Sequence, residues 1–337
     1  MAAVFGNLGS LFRRRVEQKP KIIDVCVLFN EIDLLEIRMG ELWDVVDRFV
    51  VIESDLSFAG RPKPFFFDAY RERFKPFQEK ITYHRFQPSQ LPGAHGLSPK
   101  TMAERFALEA LQRDAAGNAL AAIDAGDQDI AVLCDVDEIP RPEAVAKLPG
   151  RLQHNRFCIF ELLNYRGYMN SLSDRALNGV TIVGPVAARC KTVRRLGAHQ
   201  VRRGKERAGH VLERRDSRWN YLENGGWHIS STGGTQAFWV KAQNFAHIHD
   251  PYRVVTVPDQ VQTVQVFEGA ISRDESIALQ AQYLANQGDP RFSALSYDEF
   301  RIEQDIPKYM RRHKERFRRF FFFTDLAVQM PGSHTAQ

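Results

Sequence analysis

Two aspartates one residue apart, Asp135 and Asp137, close the short apolar run of residues 129–134 (DIAVLC) and lead into Glu138, Ile139 and Pro140. In extended backbone, positions i and i+2 point to the same side, so both carboxylates can face one cation. Magnesium or manganese on a diphosphate wants hard oxygen ligands and usually takes one or two from protein. Such a metal neutralises charge that grows on a departing diphosphate. A solvated acidic turn uses the same residue types, so position has to decide, and a place directly after a buried strand favours a metal site.

A second cluster is Gly225-Gly226-Trp227-His228. Two glycines allow backbone to approach a ligand closely, and an indole offers a platform for a sugar face. His228 or His247 could complete a metal site through an imidazole nitrogen; a hydrogen-bonded core histidine is the plainer reading of either. Arg113 lies in a long helical segment, where it points into a cleft or makes a helix-face salt bridge. Arg61 and Lys63 stand in a Pro-rich loop and could reach phosphate or acceptor, or remain solvated. A base for a hydroxyl nucleophile could be Asp250, Glu223, Glu138 or Glu161, and the residues do not choose among them.

The elements that must position these groups follow from periodicity. Residues 21–28 (KIIDVCVL), 48–53 (RFVVIE), 80–86 (KITYHRF) and 129–134 read as strands. Residues 34–46 show helical spacing, and a long helix follows Pro99. Strand, helix, strand, helix, strand predicts an α/β fold with a parallel sheet covered on both faces, which binds ligands at its carboxyl ends. Each of the three relevant loops carries acids: Glu31 and Asp33, Glu53 and Asp55, Asp135 and Asp137. Residues 157–249 read as strands and loops lining the other wall. The expected division is a leader over 1–20, a catalytic domain over 21–270 and a helical C-terminal appendage over 271–337.

The chain has 337 residues, 44% hydrophobic and 26% charged, enough for a large core without disulfide staples. Cys26, Cys134, Cys158 and Cys190 show no CxxC spacing, which argues against a zinc or redox motif. No apolar stretch reaches the length of a membrane span and no Asn-x-Ser/Thr sequon occurs. These features predict a cytoplasmic protein with at most peripheral membrane contact. The net charge of +5 is uneven. Arg194, Arg195, Arg202, Arg203, Lys205, Arg207, Arg214 and Arg215 crowd residues 189–218, and a second patch covers 311–319; either could face an anionic partner. The first cluster supports a rival reading as a non-enzymatic binder of an acidic polymer. No aromatic residue is interleaved with it, which argues against nucleic acid. A metal-dependent phosphatase would place its aspartate earlier in the fold, and a sugar nucleotidyltransferase would need a Gly-rich loop after the first strand, where Phe29-Asn30-Glu31-Ile32 has no glycine.

The blocks FNEIDLLEIRMGELWDVVDRFVVIES (29–54), AGRPKPF (59–65), DVDEIP (135–140), GGWHIS (225–230) and FAHIHD (245–250) stand in an order that resembles glycosyltransferase family seventeen. The resemblance covers roughly residues 21–250. It implies a GT-A-type, Rossmann-like, mostly parallel sheet flanked by helices, and an inverting transferase. The donor would be a nucleotide-sugar, with a UDP-sugar expected, the cofactor Mn²⁺ or Mg²⁺, and the acceptor a glycan or lipid-linked sugar. Asn30, Glu31, Glu53 and Ser54 would lie by the nucleoside. Asp135 and Asp137 would hold the metal and ribose-diphosphate, and Trp227 and His228 would line the sugar side. Where the family pattern has an acid directly after position 248, this chain has His249 and then Asp250, which leaves the base open.

Overall fold

Strand alternation assigns each residue of the first strand to one side of the sheet, and the computed structural model follows it. The structure describes residues 19–90, 99, 101–166, 169, 181–207, 220–230, 244 and 305–321. Its elements in chain order are β1 (Ile22–Leu28), α1 (Ile32–Leu42), β2 (Arg48–Ser54), α2 (Phe66–Ala69), a 3-10 segment (Arg71–Lys80), β3 (Ile81–Phe86), α3 (Met102–Ala122), β4 (Ile130–Asp135), β5 (Glu138–Pro140), α4 (Pro142–Ala146), α5 (Leu148–His154), β6 (Phe157–Arg166), β7 (Thr181–Arg189), α6 (Cys190–Leu196), α7 (Ala198–Arg207), β8 (Asn220–Ser230) and α8 (Lys308–Arg312).

The eight strands form one sheet in the order β3-β2-β1-β4-β7-β6-β8-β5. The first four are parallel, as the expected α/β alternation requires. Strand β7 then enters antiparallel to β4, and β6 antiparallel to β7. Two reversals restore the first direction, so β6 and the parallel β8 aim their carboxyl ends the same way as β1 and β4. The short edge strand β5 runs antiparallel to β8. The expected α/β sheet flanked by helices is therefore present. Four of its seven pairings are parallel, so its second half is more mixed than expected.

On one face, Ile22, Cys26 and Leu28 of β1 pack with Leu35, Met39 and Leu42 of α1 and with Leu148 and Leu152 of α5. On the other, Ile23 and Val25 pack under Ala115, Ala119 and Leu120 of α3 and Val201 of α7. All four cysteines are buried free thiols, as the apolar runs around three of them suggest, and burial pushes the Cys26 thiol up to about 12. Among the described residues no helix is long and apolar enough to cross a membrane.

One polar residue of β1 breaks this pattern. Asp24 lies on the α1 face, 1% exposed, and accepts Nε and Nη2 of the wholly buried Arg38 at 2.6 and 2.5 Å. Arg38 also donates through Nη1 to the carbonyl oxygens of Glu138, at 2.5 Å, and Asp135, at 3.4 Å. Burial alone would lower the guanidinium's pKa, but Asp24 outweighs it and holds it well above the ordinary value. Arg38, a charged residue on a helix, is thus the support of the Asp135–Glu138 turn.

The described part of the C-terminal segment docks on α1. Met310, Phe317, Phe320 and Phe321 join Leu34 and Ile37 of α1, together with Trp227 and Ile229, in a third apolar cluster. Glu36 receives Arg316 at 2.7 Å and the Tyr309 hydroxyl at 3.1 Å, and Glu41 receives the Tyr309 backbone N–H at 2.8 Å. Asp33 pairs with Arg319 and Arg73. Gly40 makes room for this approach, since a Cβ there would strike the Tyr309 ring. One correction follows. Arg316 and Arg319 of the second basic patch pair with acids of α1, and Asp33 serves this clamp rather than the strand-end site. The leader and most of the expected C-terminal appendage lie outside the described residues.

Removing one member of the buried pair strands the other charge. Arg38→Met is expected to cost about 3–5 kcal/mol in urea unfolding. The double variant Asp24→Leu/Arg38→Met is expected to recover most of that stability without restoring the order of the Asp135–Glu138 turn, which hydrogen exchange of the turn amides would report.

Candidate functional site

The carboxyl ends of β1, β2 and β4 meet at a small pocket lined by Val27, Leu28, Phe29, Leu56, Ser57, Phe58, Lys63, Gln112, Asp135 and Asn244. Strands β1 and β4 supply its floor and the loop after β2 one wall, and α3 closes the opposite side. Helix α3 begins at a capping box, in which Thr101 Oγ1 accepts the Glu104 N–H at 3.2 Å and the Glu104 carboxylate accepts the Thr101 N–H at 3.0 Å. Its inward stripe places Gln112 and Arg113 over the end of β4.

Asp135 is held by two arginines. Arg113 Nη2 reaches its two carboxylate oxygens at 3.1 and 2.9 Å, and Arg202 Nη2 reaches Oδ2 at 2.9 Å. Arg113 also pairs with Glu109 one turn back at 2.6 Å, so its cleft and helix-face readings are both realised. Arg202, 2% exposed on α7, grips Glu138 through Nη1 and Nη2 and donates to the Leu133 carbonyl at 3.1 Å. Burial would lower its pKa, but Asp135 and Glu138 raise it far above the ordinary value. Glu138 in turn accepts the Asp135 N–H at 2.9 Å. Its carboxylate is committed to Arg202 and the turn, which does not suit the role of base.

Asp137 takes a different direction from Asp135. Residues 136 and 137 form a turn, so the strict two-residue alternation expected from extended backbone stops there. Asp137 Oδ2 lies 3.8 Å from His228 Nε2, with the two side chains 7% and 17% exposed. The other ring nitrogen of His228, Nδ1, is 2.8 Å from Asn164 Oδ1. An amide oxygen only accepts, so Nδ1 donates, and the neutral ring then carries its lone pair on Nε2, toward Asp137. Strand register brings this about, since His228 sits opposite Glu138 on β5 and Asn164 on β6. Among the described residues no three His, Cys, Asp or Glu side chains converge on one point.

The remaining predicted residues fall into two groups. Lys63 lines the pocket; burial lowers its pKa, and Glu53 opposes that shift from 2.7 Å. Asn30 and Glu31 stand at the end of β1, but the Glu31 carboxylate turns back to accept the N–H groups of Phe29 and Asn30 at 3.2 and 3.1 Å. Glu53 is wholly buried and accepts from Lys63, the Phe66 and Phe67 N–H groups and the Tyr83 hydroxyl. Four donors occupy the four acceptor positions of a carboxylate, so Glu53 organises the start of α2 rather than offering oxygens to a nucleoside. Ser54 is buried and accepts the Leu56 N–H at 3.1 Å.

Trp227 is placed elsewhere than expected. Adjacent residues of β8 face opposite sides, so the strand that aims His228 at Asp137 turns Trp227 toward α1 and the C-terminal segment. Trp227 is 2% exposed, its Nε1 donates to the Asp305 carbonyl at 2.7 Å, and the Arg141 guanidinium lies 4.2 Å from its ring centre. It is a core anchor, not a sugar platform. The two glycines before it serve strand packing, since a Cβ on Gly226 would meet the Ile139 carbonyl and one on Gly225 would lie 2.7 Å from the Leu222 carbonyl. Glu223 lies exposed in the irregular stretch of β8 where its register with β6 shifts, away from the His228 end. His247 and Asp250 lie outside the described residues.

A larger cavity of about 300 Å³ lies between α1, Arg141, Trp227 and residues 305–312. It is on the opposite face of the sheet from Asp137 and His228, and the strand-end pocket remains the better candidate on chemistry. Part of the basic cluster is engaged internally where it is described, while Lys191, Arg195 and Arg203 stay exposed. Arg194 pairs with Asp127 and Arg189 donates to the Gln128 carbonyl, while Arg202 is buried. Sequence reasoning missed Phe29, Gln112, Asn164 and the role of Arg202. Only the helical spacing of residues 198–207 hinted that one of those arginines faces inward.

Comparison with known proteins agrees with the sequence resemblance. The family model described as "Glycosyltransferase family 17" matches residues 8–173. The β-1,4-mannosyl-glycoprotein 4-β-N-acetylglucosaminyltransferases of Rattus norvegicus and Homo sapiens are each 29% identical over 144 residues, which is 42% of this chain and 26% of the relative. This chain therefore matches only about a quarter of the length of these curated relatives. Among solved structures, glucosyl-3-phosphoglycerate synthase of Mycobacterium tuberculosis, in complex with Mn²⁺, UDP and glucosyl-3-phosphoglycerate, aligns with a TM-score of 0.33 and 18% identity over 62% of this chain and 71% of that one. S. aureus TarS 1–349 aligns with a TM-score of 0.31 and 9% identity over 78% and 70% of the two chains.

Replacing Trp227 by Phe removes the indole N–H. The expected outcome is a loss of about 1 kcal/mol in denaturant unfolding with nucleotide affinity unchanged. A raised donor KM at unchanged stability would restore the platform role.

Proposed function

We propose, taking the family 17 match over residues 8–173 as premise, that this protein transfers a sugar from a nucleotide-diphosphate donor to a hydroxyl of a glycan or lipid-linked sugar, with inversion. An N-acetylglucosamine or related hexose carried on UDP is the donor class that the relatives suggest. The observation that carries the reading is the pairing of Asp137 with a His228 whose tautomer Asn164 sets.

An oxygen ligand and an imidazole nitrogen together suit Mn²⁺ or Mg²⁺, whose other positions would be filled by donor phosphates and water. When bound, the metal neutralises charge on the leaving diphosphate. The chain's own residues do the rest. Asp24 and Arg38 hold the turn from below; Arg113 and Arg202 keep Asp135 at the pocket wall, where it can accept from ribose hydroxyls. Phe29 and Phe58 supply apolar walls for the nucleoside, and Lys63 lies beside them as a buried cation. Asp135 acts through the arginines and the nucleoside rather than sharing the metal with Asp137 as first expected. Of the acids proposed to activate the acceptor, Glu138 is engaged by Arg202 and Glu223 stands away from the His228 end, which leaves Asp250 and Glu161.

The test is a donor screen by nucleotide release with and without EDTA, paired with Mn²⁺ binding measured by electron paramagnetic resonance. Asp137→Ala is expected to abolish tight Mn²⁺ binding and turnover together. Asn164→Leu, which frees the His228 tautomer, is expected to weaken Mn²⁺ by roughly 10–100-fold. Full turnover in EDTA, or unchanged Mn²⁺ affinity in Asp137→Ala, rejects the metal assignment.

A further inference from the structure

Arg105 is 6% exposed in the first turns of α3, yet its Nε and Nη1 are buried and find no hydrogen-bond partner among the described residues. The acid best placed to neutralise it is Glu109, one helical turn on, but Glu109 is drawn to Arg113 at 2.6 Å. A buried guanidinium without a counter-charge is costly, and such groups normally find a partner or are replaced. The other large buried cations of this fold obey that rule, Arg38 through Asp24 and Arg202 through Asp135 and Glu138.

The position of Arg105 indicates what its partner is. Arg105, Glu109 and Gln112 are all buried and recur at i, i+4 and i+7, so they form one stripe of α3. Gln112 lines the pocket together with Leu28, Phe29 and Asp135. Seven residues of helix rise about 10 Å. Because α3 leads into β4, it runs down the sheet, and its first turns stand above the strand ends. Arg105 therefore shares the stripe of α3 that carries Gln112 to the pocket and stands about two helical turns from it, toward the side where the strands end.

We propose that Arg105 is an anion-binding residue of the cleft, and that its guanidinium takes a phosphate group brought by a substrate. The proposal rests on the transferase reading above and deepens it by naming a further phosphate contact. The phosphate is either the donor's diphosphate or one carried by a phosphorylated acceptor. In the empty protein the unpaired charge opposes folding; the substrate supplies the missing counter-charge, so stability is traded for affinity.

Thermal unfolding of the full chain, alone and with inorganic pyrophosphate, UDP or uridine, separates the possibilities. Arg105→Met is expected to melt higher than the parent without ligand and to lose the stabilisation by pyrophosphate. Uridine is expected to act equally on both. Calorimetry is expected to show UDP affinity reduced roughly 10-fold or more in the variant, the usual weight of a charge-assisted hydrogen bond. Arg105→Lys, which keeps the charge but not the fork, is expected to retain part of the pyrophosphate response. A phosphate from the acceptor instead leaves UDP affinity unchanged and raises KM for a phosphorylated acceptor. A lower melting temperature for Arg105→Met without ligand reveals an internal counter-charge and overturns the proposal, as does an equal response of parent and variant to pyrophosphate. A parent that binds no nucleotide overturns the transferase reading alone, because the pyrophosphate comparison still judges Arg105.

Discussion

The buried pair of Asp24 and Arg38 is the constraint on which the site depends. Two opposite charges at 1% and 0% exposure gain little net stability, because desolvation offsets most of their attraction. What they gain is position. Arg38 has five N–H donors in a rigid fork, and Asp24 takes only part of that capacity. The remainder goes to the carbonyls of Asp135 and Glu138, so the turn between β4 and β5 is tied to the centre of the first βα unit.

Above this anchor lies a second charged layer with a different purpose. Arg113 and Arg202 approach from α3 and α7 and meet Asp135, Glu138 and Glu109. The layer also explains why two aspartates of similar appearance differ. Asp135 still has the side of a regular strand and faces the two arginine helices. Asp137 stands in the turn, where the backbone rotates its carboxylate toward β8 and His228.

The C-terminal segment stabilises the other face of the same unit. Its basic residues find Asp33 and Glu36 on α1, while Phe317 and Phe320 cover Leu34 and Ile37. Helix α1 is thus bonded on two sides, inward through Arg38 and outward through its acids. Trp227 links this clamp to β8 through Asp305, so the strand carrying His228 is held by the same segment. Two arginines of a charge run that suggested a partner in one dimension are in three dimensions also paired with acids of α1.

Much of this protein was legible in one dimension because local physics governs it. Apolar runs over β1, β2 and β4 and the 3.6-residue spacing of α1 and α3 announce a βαβ unit, and the strand ends then localise the acids. The family blocks added the expectation of nucleotide-sugar chemistry, which residue types alone could not supply. Glu53 and Trp227 show where such reading stops. Nothing local says that four donors from residues 63–83 will surround Glu53, or that the side of β8 holding Trp227 faces α1. The mixed half of the sheet, with its three antiparallel pairings, is a matter of long-range pairing, and that pairing alone brings Asn164, His228 and Asp137 together. Sequence determined which residue types stand at the carboxyl ends of the strands. Tertiary structure decided which acids were left to meet a ligand, because only packing shows which donors have already claimed the others.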